Sequence, residues 1–153
     1  MLSNLVIQIC TVASLNNFPC SEALAVAQVE SAFNPKAVGS LGELGLFQVR
    51  PEYHGPVSKV IPKQINQAVL IMKRAKSMCY ESLQHDWFVC FNRGIRGGLK
   101  RGRGTVYAAR ATKLAKKWEY ILDANKSYLS LTRLQRSFSA EEILKTKTLV
   151  QTY

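Results

Sequence analysis

Apolar positions recur at helical spacing along most of the chain. Over residues 2–15, Leu2, Leu5, Val6, Ile9 and Val12 share one face, which predicts a first helix. Asn16-Asn17-Phe18-Pro19 interrupts it. Ser21 offers an N-cap, and Glu22 a favourable first-turn charge, for a helix running through ALAVAQVES to Phe33. Asn34 precedes Pro35, which disfavours further helix. Residues 34–44 read as a loop, and GLFQV as a short helix ended by Pro51. Pro62 is a good first residue for a long amphipathic helix with Ile65, Val69, Met72, the stem of Lys76 and Cys79 on one face.

Beyond that helix, residues 85–92 read as a short buried helix and residues 93–104 as a glycine-rich basic loop. Residues 105–122 form a further helix, with Leu114, Trp118 and Ile121 spaced for packing. Ser139-x-x-Glu142 is a capping box for a last helix. No stretch shows the alternation of a strand, so the pattern predicts an all-α fold. The expected organisation is a helical domain over residues 1–122 and a C-terminal helical extension over 123–153, packed on the domain or docked to a partner.

Length and composition fit this picture. The 153 residues suffice for one domain with its own core, and 47% hydrophobic and 20% charged residues are ordinary for a globular chain. No run approaches the ~18–20 apolar residues that would span a bilayer. The opening MLSNLVIQICTVASL has no positive charge before Lys36 and reads as a helix rather than a secretory signal, so work outside the cytoplasm would need another export route. The formal charge of +11 favours a polyanionic partner: nucleic acid, an acidic membrane surface or an anionic cell wall. From Trp87 to Trp118 there is no Asp or Glu, while Arg93, Arg96, Lys100, Arg101, Arg103, Arg110, Lys113, Lys116 and Lys117 fall in that span. Cys10, Cys20, Cys79 and Cys90 match no zinc spacing and include no CxxC pair. Free thiols in or near the core are the expectation, and the three possible disulfide connectivities cannot be ranked.

The candidate chemistry centres on Glu30. It lies four residues after Val26 and three before Phe33, so it shares their apolar helix face. Burial there disfavours the charged form and yields a carboxylic acid protonated near neutral pH, as a general acid requires. A glycine loop with Gly39, Gly42 and Gly45 follows and permits close approach to a ligand.

The stretch ALAVAQVESAFNPKAVGSLGELGLFQV resembles the opening of the soluble lytic transglycosylase family, goose-lysozyme-like glycosidases of peptidoglycan. Glu30-Ser31 resembles the family's ES dipeptide, and Gly42-Glu43-Leu44-Gly45-Leu46-Phe47-Gln48 its GxxGLMQ segment. Cys90-Phe91-Asn92-Arg93-Gly94 resembles its AYNAG segment, and Thr105-Val106-Tyr107-Ala108 its later helix carrying Tyr. The resemblance covers residues 17–120.

It implies a lysozyme-like helical domain whose cleft, between helices, binds alternating N-acetylmuramic acid and N-acetylglucosamine. Glu30 would protonate the β-1,4 glycosidic oxygen and then take the proton of the muramoyl 6-hydroxyl as that oxygen attacks C1. The product would be a 1,6-anhydro sugar, with the muramoyl N-acetyl group stabilising the cation, so one carboxylate suffices where most glycosidases use two. Ser40, Gly45, Leu46, Phe47, Gln48, Phe91, Asn92 and Tyr107 would contact substrate or tune the acid. Neither cofactor nor metal is implied. The glycan strand is the expected partner, with other proteins of a virion or secretion machine beside it. A phage particle acting at the host wall or periplasm is the expected setting. An inactive virion structural or nucleic-acid-binding protein on the same fold, and a water-using muramidase, are the alternatives.

Four positions depart from the pattern. Phe47 stands for the usual Met and Phe91 for the usual Tyr; Gly39 stands for a frequent Ser and Glu43 for a small residue. Glu43 is the one candidate for a second carboxylate that could position water; otherwise it is a solvated loop charge.

Overall fold

The computed structural model describes residues 2–81, 86–101 and 105–125. Its elements are α1 (Asn4–Leu15), α2 (Cys20–Ser31), α3 (Pro51–His54), α4 (Ile61–Lys76) with a π-helical turn Ser77–Glu81, α5 (Trp87–Arg101) and α6 (Val106–Ala124). The described residues hold no strand, only two isolated bridges in the glycine loop, as an all-α fold requires. No helix among them is long and apolar enough to cross a membrane. The helix expected from Ser139 lies outside the described residues.

The core gathers the apolar faces the pattern predicts. Ile9 and Val12 of α1, Leu24 and Val26 of α2, and Ile65, Val69 and Met72 of α4 are fully buried, and Trp87 and Phe88 of α5 join them. Residues of this size each contribute ~1.5–3 kcal/mol by burial. α6 lies along α2 with Ala108 and Ala111 buried, small enough to let the two helices approach. Further along, the Trp118 Nε1–H donates to Gln28 Oε1 at 2.8 Å, and its ring stands edge-on to Phe33. Lys76 ties α4 to α2 through both oxygens of Glu22, at 2.8 and 2.7 Å.

Four local expectations are corrected. Ser21 is not the cap of α2: the helix begins at Cys20, with Pro19 in the cap position and no side-chain cap. Pro19 fixes the entry without one, because its ring sets φ. GLFQV is not helical. Gly45 and Gln48 have φ of 75° and 48°, incompatible with a right-handed helix, and the Leu44–Val49 bridge closes the segment as a turn.

The basic stretch after Asn92 is not a plain loop either. α5 kinks at Gly94, where φ is 71°, and then resumes as far as Arg101. Eight residues of straight helix rise ~12 Å. Yet a Cβ on Gly98 would lie 2.7 Å from Cys90 Cα, so the second half of α5 folds back on the first. Gly98 is there for close packing.

The cysteines are not free. Cys10 pairs with Cys20 across the α1–α2 turn, and Cys79 pairs with Cys90, fastening the π-helical turn to α5. Bridges closing loops this short contribute ~2–3 kcal/mol each. Burial alone, which favoured thiols at these positions, does not distinguish a thiol from a half-cystine.

Candidate active site

Glu30 is the next-to-last residue of α2, half-buried, with Val26 one turn earlier fully buried. Its Oε1 accepts a hydrogen bond of 2.7 Å from the Tyr107 hydroxyl. Tyr107 is held in the first turn of α6, whose N-cap Thr105 accepts from the Ala108 N–H at 3.1 Å. The helix pair thus delivers a carboxyl and a phenol to one point from positions 77 residues apart.

Burial is the main influence on both groups. It pushes the Glu30 carboxyl up from 4.5 to about 7; the Tyr107 hydrogen bond pulls the other way, and the negative charge of Glu43 adds to the rise. The last turn of a helix also carries partial negative charge, which disfavours an anion there. Tyr107 is pushed well above the usual phenol range by burial and by facing Glu30, so it remains a donor. A carboxyl that exchanges its proton near neutral pH, beside a fixed donor, can act in turn as acid and base.

α2 ends in two left-handed residues, Ala32 with φ 50° and Phe33 with φ 66°. This turns the chain into the loop that faces Glu30. Ser31 stitches the junction: its hydroxyl donates to Leu46 O at 2.8 Å, is 3.2 Å from Ala27 O, and accepts from the Asn34 N–H. Gln64, buried on α4, holds the same segment from below. Its Oε1 accepts from the Leu46 N–H at 2.7 Å, and its amide donates to Ser58 O at 3.1 Å. Gly45 lies flat on that amide, where a Cβ would come within 2.5 Å, and its φ is positive. Gln64 escaped the sequence reading. Its one signal was a polar residue beside the apolar stripe of α4, next to Ile65.

The other candidates divide. Leu46 and Phe47 are buried in the core, so their side chains line no sugar site and only their backbone can face a ligand. Gln48 spends its amide N–H on Gly45 O at 2.9 Å and Ala37 O at 3.3 Å, bracing the loop. Its Oε1 faces Gly39, 2.7 Å from where a Cβ would stand. Ser40 is exposed. Phe91 packs partly against the core with its ring edge toward Trp87. Asn92 is exposed, and its side chain makes no hydrogen bond among the described residues.

Glu43 differs from a solvated loop charge. It is half-buried and turned back on its own loop: Oε2 accepts from the Leu41 N–H at 3.0 Å, while its carbonyl accepts from the Gly39 N–H at 2.8 Å. The same Oε2 occupies the space a side chain on Gly39 would need. The two departures from the family pattern are therefore one structural feature.

Residues 10–77 match the family model described as the Transglycosylase SLT domain. No curated protein and no solved structure gives a match. The matched segment runs from α1 through α4 and holds Glu30, Ser31, the glycine loop and Gln64; α6 adds Tyr107 from outside it. The acid on α2 and the glycine loop beside it both fall within the segment that is similar to the soluble lytic transglycosylase domain, whose family comprises enzymes that cleave the glycosidic bonds of peptidoglycan.

Proposed function

We propose that this chain cleaves the β-1,4 bond between N-acetylmuramic acid and N-acetylglucosamine and leaves 1,6-anhydromuramoyl ends. The observation that carries the reading is Glu30: one half-buried carboxyl, protonated up to about pH 7, with a phenol donor on one oxygen. Its proton passes to the glycosidic oxygen as the C1–O bond breaks, and N-acetylglucosamine leaves with a free 4-hydroxyl. The carboxylate, now steadied by Tyr107, takes the proton of the muramoyl 6-hydroxyl as that oxygen bonds to C1. The acid is restored and no water is consumed.

Val38 and Leu41 on the loop and Val106 beside Tyr107 are exposed apolar side chains, suited to the flat faces of sugar rings. Asn92 supplies a free amide for acetamido or hydroxyl groups. The two disulfides support work in an oxidising compartment, at the wall or in the periplasm. Delivery there by a phage particle or a secretion machine is part of the same proposal. Clearing of purified murein sacculi, compared with Glu30→Gln, tests it: the wild type should clear them and the variant should not. DNA retention that outlasts sacculus binding as salt is raised would instead favour a nucleic-acid-binding virion protein on this fold, a reading kept by the basic helices.

A further inference from the structure

The proposed reaction uses only the inner face of α6. On the outer face, Val106, Arg110, Lys113, Lys117 and Tyr120 fall at i, i+4, i+7, i+11 and i+14, so they share one side of the helix, and all five are exposed. At a rise of ~1.5 Å per residue this stripe runs ~21 Å. Its three cations form no ion pair among the described residues, and the acids of α6, Glu119 and Asp123, fall off this side by register. The inner face locks the helix in this orientation: Ala108 and Ala111 are buried, Trp118 donates to Gln28, and Tyr107 donates to Glu30. The stripe is therefore held in fixed register with the acid, and its first member, Val106, is the chain neighbour of Tyr107.

We propose that this stripe is a docking surface for the free carboxylates of the stem peptides that a peptidoglycan strand carries, and that the chain favours such strands over strands whose peptide carboxylates are amidated. This rests on the reading of the chain as a peptidoglycan glycosidase. The muramoyl residue that would be cut is also the residue that bears the peptide, so each bond presented to Glu30 brings carboxylates with it. A row of exposed cations with no acid among them is complementary to such groups. Arg110 offers a planar fork to a carboxylate, and Lys113 and Lys117 offer point charges on long stems. A nucleic acid would satisfy the same charges but has no bond for Glu30 to cut, which is why the peptide is the occupant assigned.

The test uses soluble peptide-bearing glycan strands in two forms: untreated, and with the peptide carboxylates converted to amides by carbodiimide and excess ammonia. Binding is measured with the full chain carrying Glu30→Gln, so that the strands stay uncut, and cleavage with Glu30 in place. Untreated strands should bind several-fold more tightly than amidated ones at low salt, and the difference should shrink as salt rises. Adding Lys113→Glu and Lys117→Glu should abolish the difference while turnover of amidated strands stays at the parent's rate. Lys59→Glu with Lys63→Glu makes the same charge change at exposed positions off α6 and should preserve it. Equal binding of the two forms, or a difference that survives Lys113→Glu with Lys117→Glu, would overturn the inference. So would a single-stranded oligonucleotide that binds more tightly than the untreated strand at matched salt, which would make the stripe a nucleic-acid surface. Failure of the chain with Glu30 in place to cleave either form would overturn the proposed reaction, and the binding comparison would still decide the stripe.

Discussion

The Glu30 pocket and the outer face of α6 carry charge in opposite ways. In the pocket, Glu30 is half-buried and fixed by Tyr107, and in the glycine loop Glu43 is half-buried and held by the Leu41 N–H, so what each does depends on angstrom-scale placement. On α6, Arg110, Lys113, Lys116 and Lys117 are all exposed, and none forms an ion pair among the described residues. Arg110, Lys113 and Lys117 follow i, i+3, i+7 spacing and form one stripe, opposite the Ala108 and Ala111 face that packs on α2. The regions meet in the first turn of α6, where Tyr107 reaches inward. Burial makes a single group chemically distinctive, whereas exposure makes a group of cations collectively attractive to anions and sensitive to salt.

The largest effect should come from breaking the pocket at its centre. Glu30→Gln keeps the shape but cannot donate and recover a proton, and sacculus clearing should fall ~10²–10⁴-fold with the circular dichroism spectrum unchanged. Tyr107→Phe removes the one donor that meets that carboxyl among the described residues. A hydrogen bond to a charged group of this kind is worth ~10–100-fold, and the loss should appear in the turnover rate more than in sacculus binding.

The same carboxyl should be a cost to the fold. Its pKa in the folded state is raised from 4.5 to about 7, so the native chain binds this proton more tightly than the unfolded one. Stability is thus greatest below the ordinary carboxyl value and declines as pH rises from there to about 7. Denaturant unfolding should find Glu30→Gln gaining ~1–3 kcal/mol on the wild type at pH 8 relative to pH 4. Equal effects at the two pH values would mean that Glu30 is not desolvated.

The cationic face should yield the smallest effect and the one most dependent on conditions. Lys113→Glu with Lys117→Glu should weaken sacculus binding several-fold at low salt, and the difference should vanish at high salt, where the screening length falls to ~3 Å at 1 M. Binding unchanged at low salt would make the stripe a solvated surface.

What the sequence disclosed follows the same division. Long-period features were legible, because a helix face repeats its signal: the apolar sides of α1, α2 and α4, and Glu30 among them. Single-residue backbone geometry was not. Nothing in GLFQV announces that Gly45 and Gln48 turn left-handed, and the glycines after Asn92 read as looseness although Gly98 serves close packing against Cys90. Partners distant in the chain were equally hidden. Cys79–Cys90 and the Gln64 clamp on Leu46 join residues whose spacing carries no motif. Gly39 and Glu43 were legible as two separate oddities, and only coordinates make them one. Arg103 lies outside the described residues, so the stripe is that of α6; Arg93 and Arg96 of α5 are exposed as well.

The central claim is that one carboxyl performs the whole reaction and that the sugar's own 6-hydroxyl replaces water. Digesting sacculi in ¹⁸O-water and weighing the muropeptides tests it most directly. The expected products carry 1,6-anhydromuramoyl ends, one water lighter than reducing ends and free of label. Reducing ends labelled with ¹⁸O, together with loss of cleavage in Glu43→Gln at every pH, would contradict it and make Glu43 the base of a hydrolase.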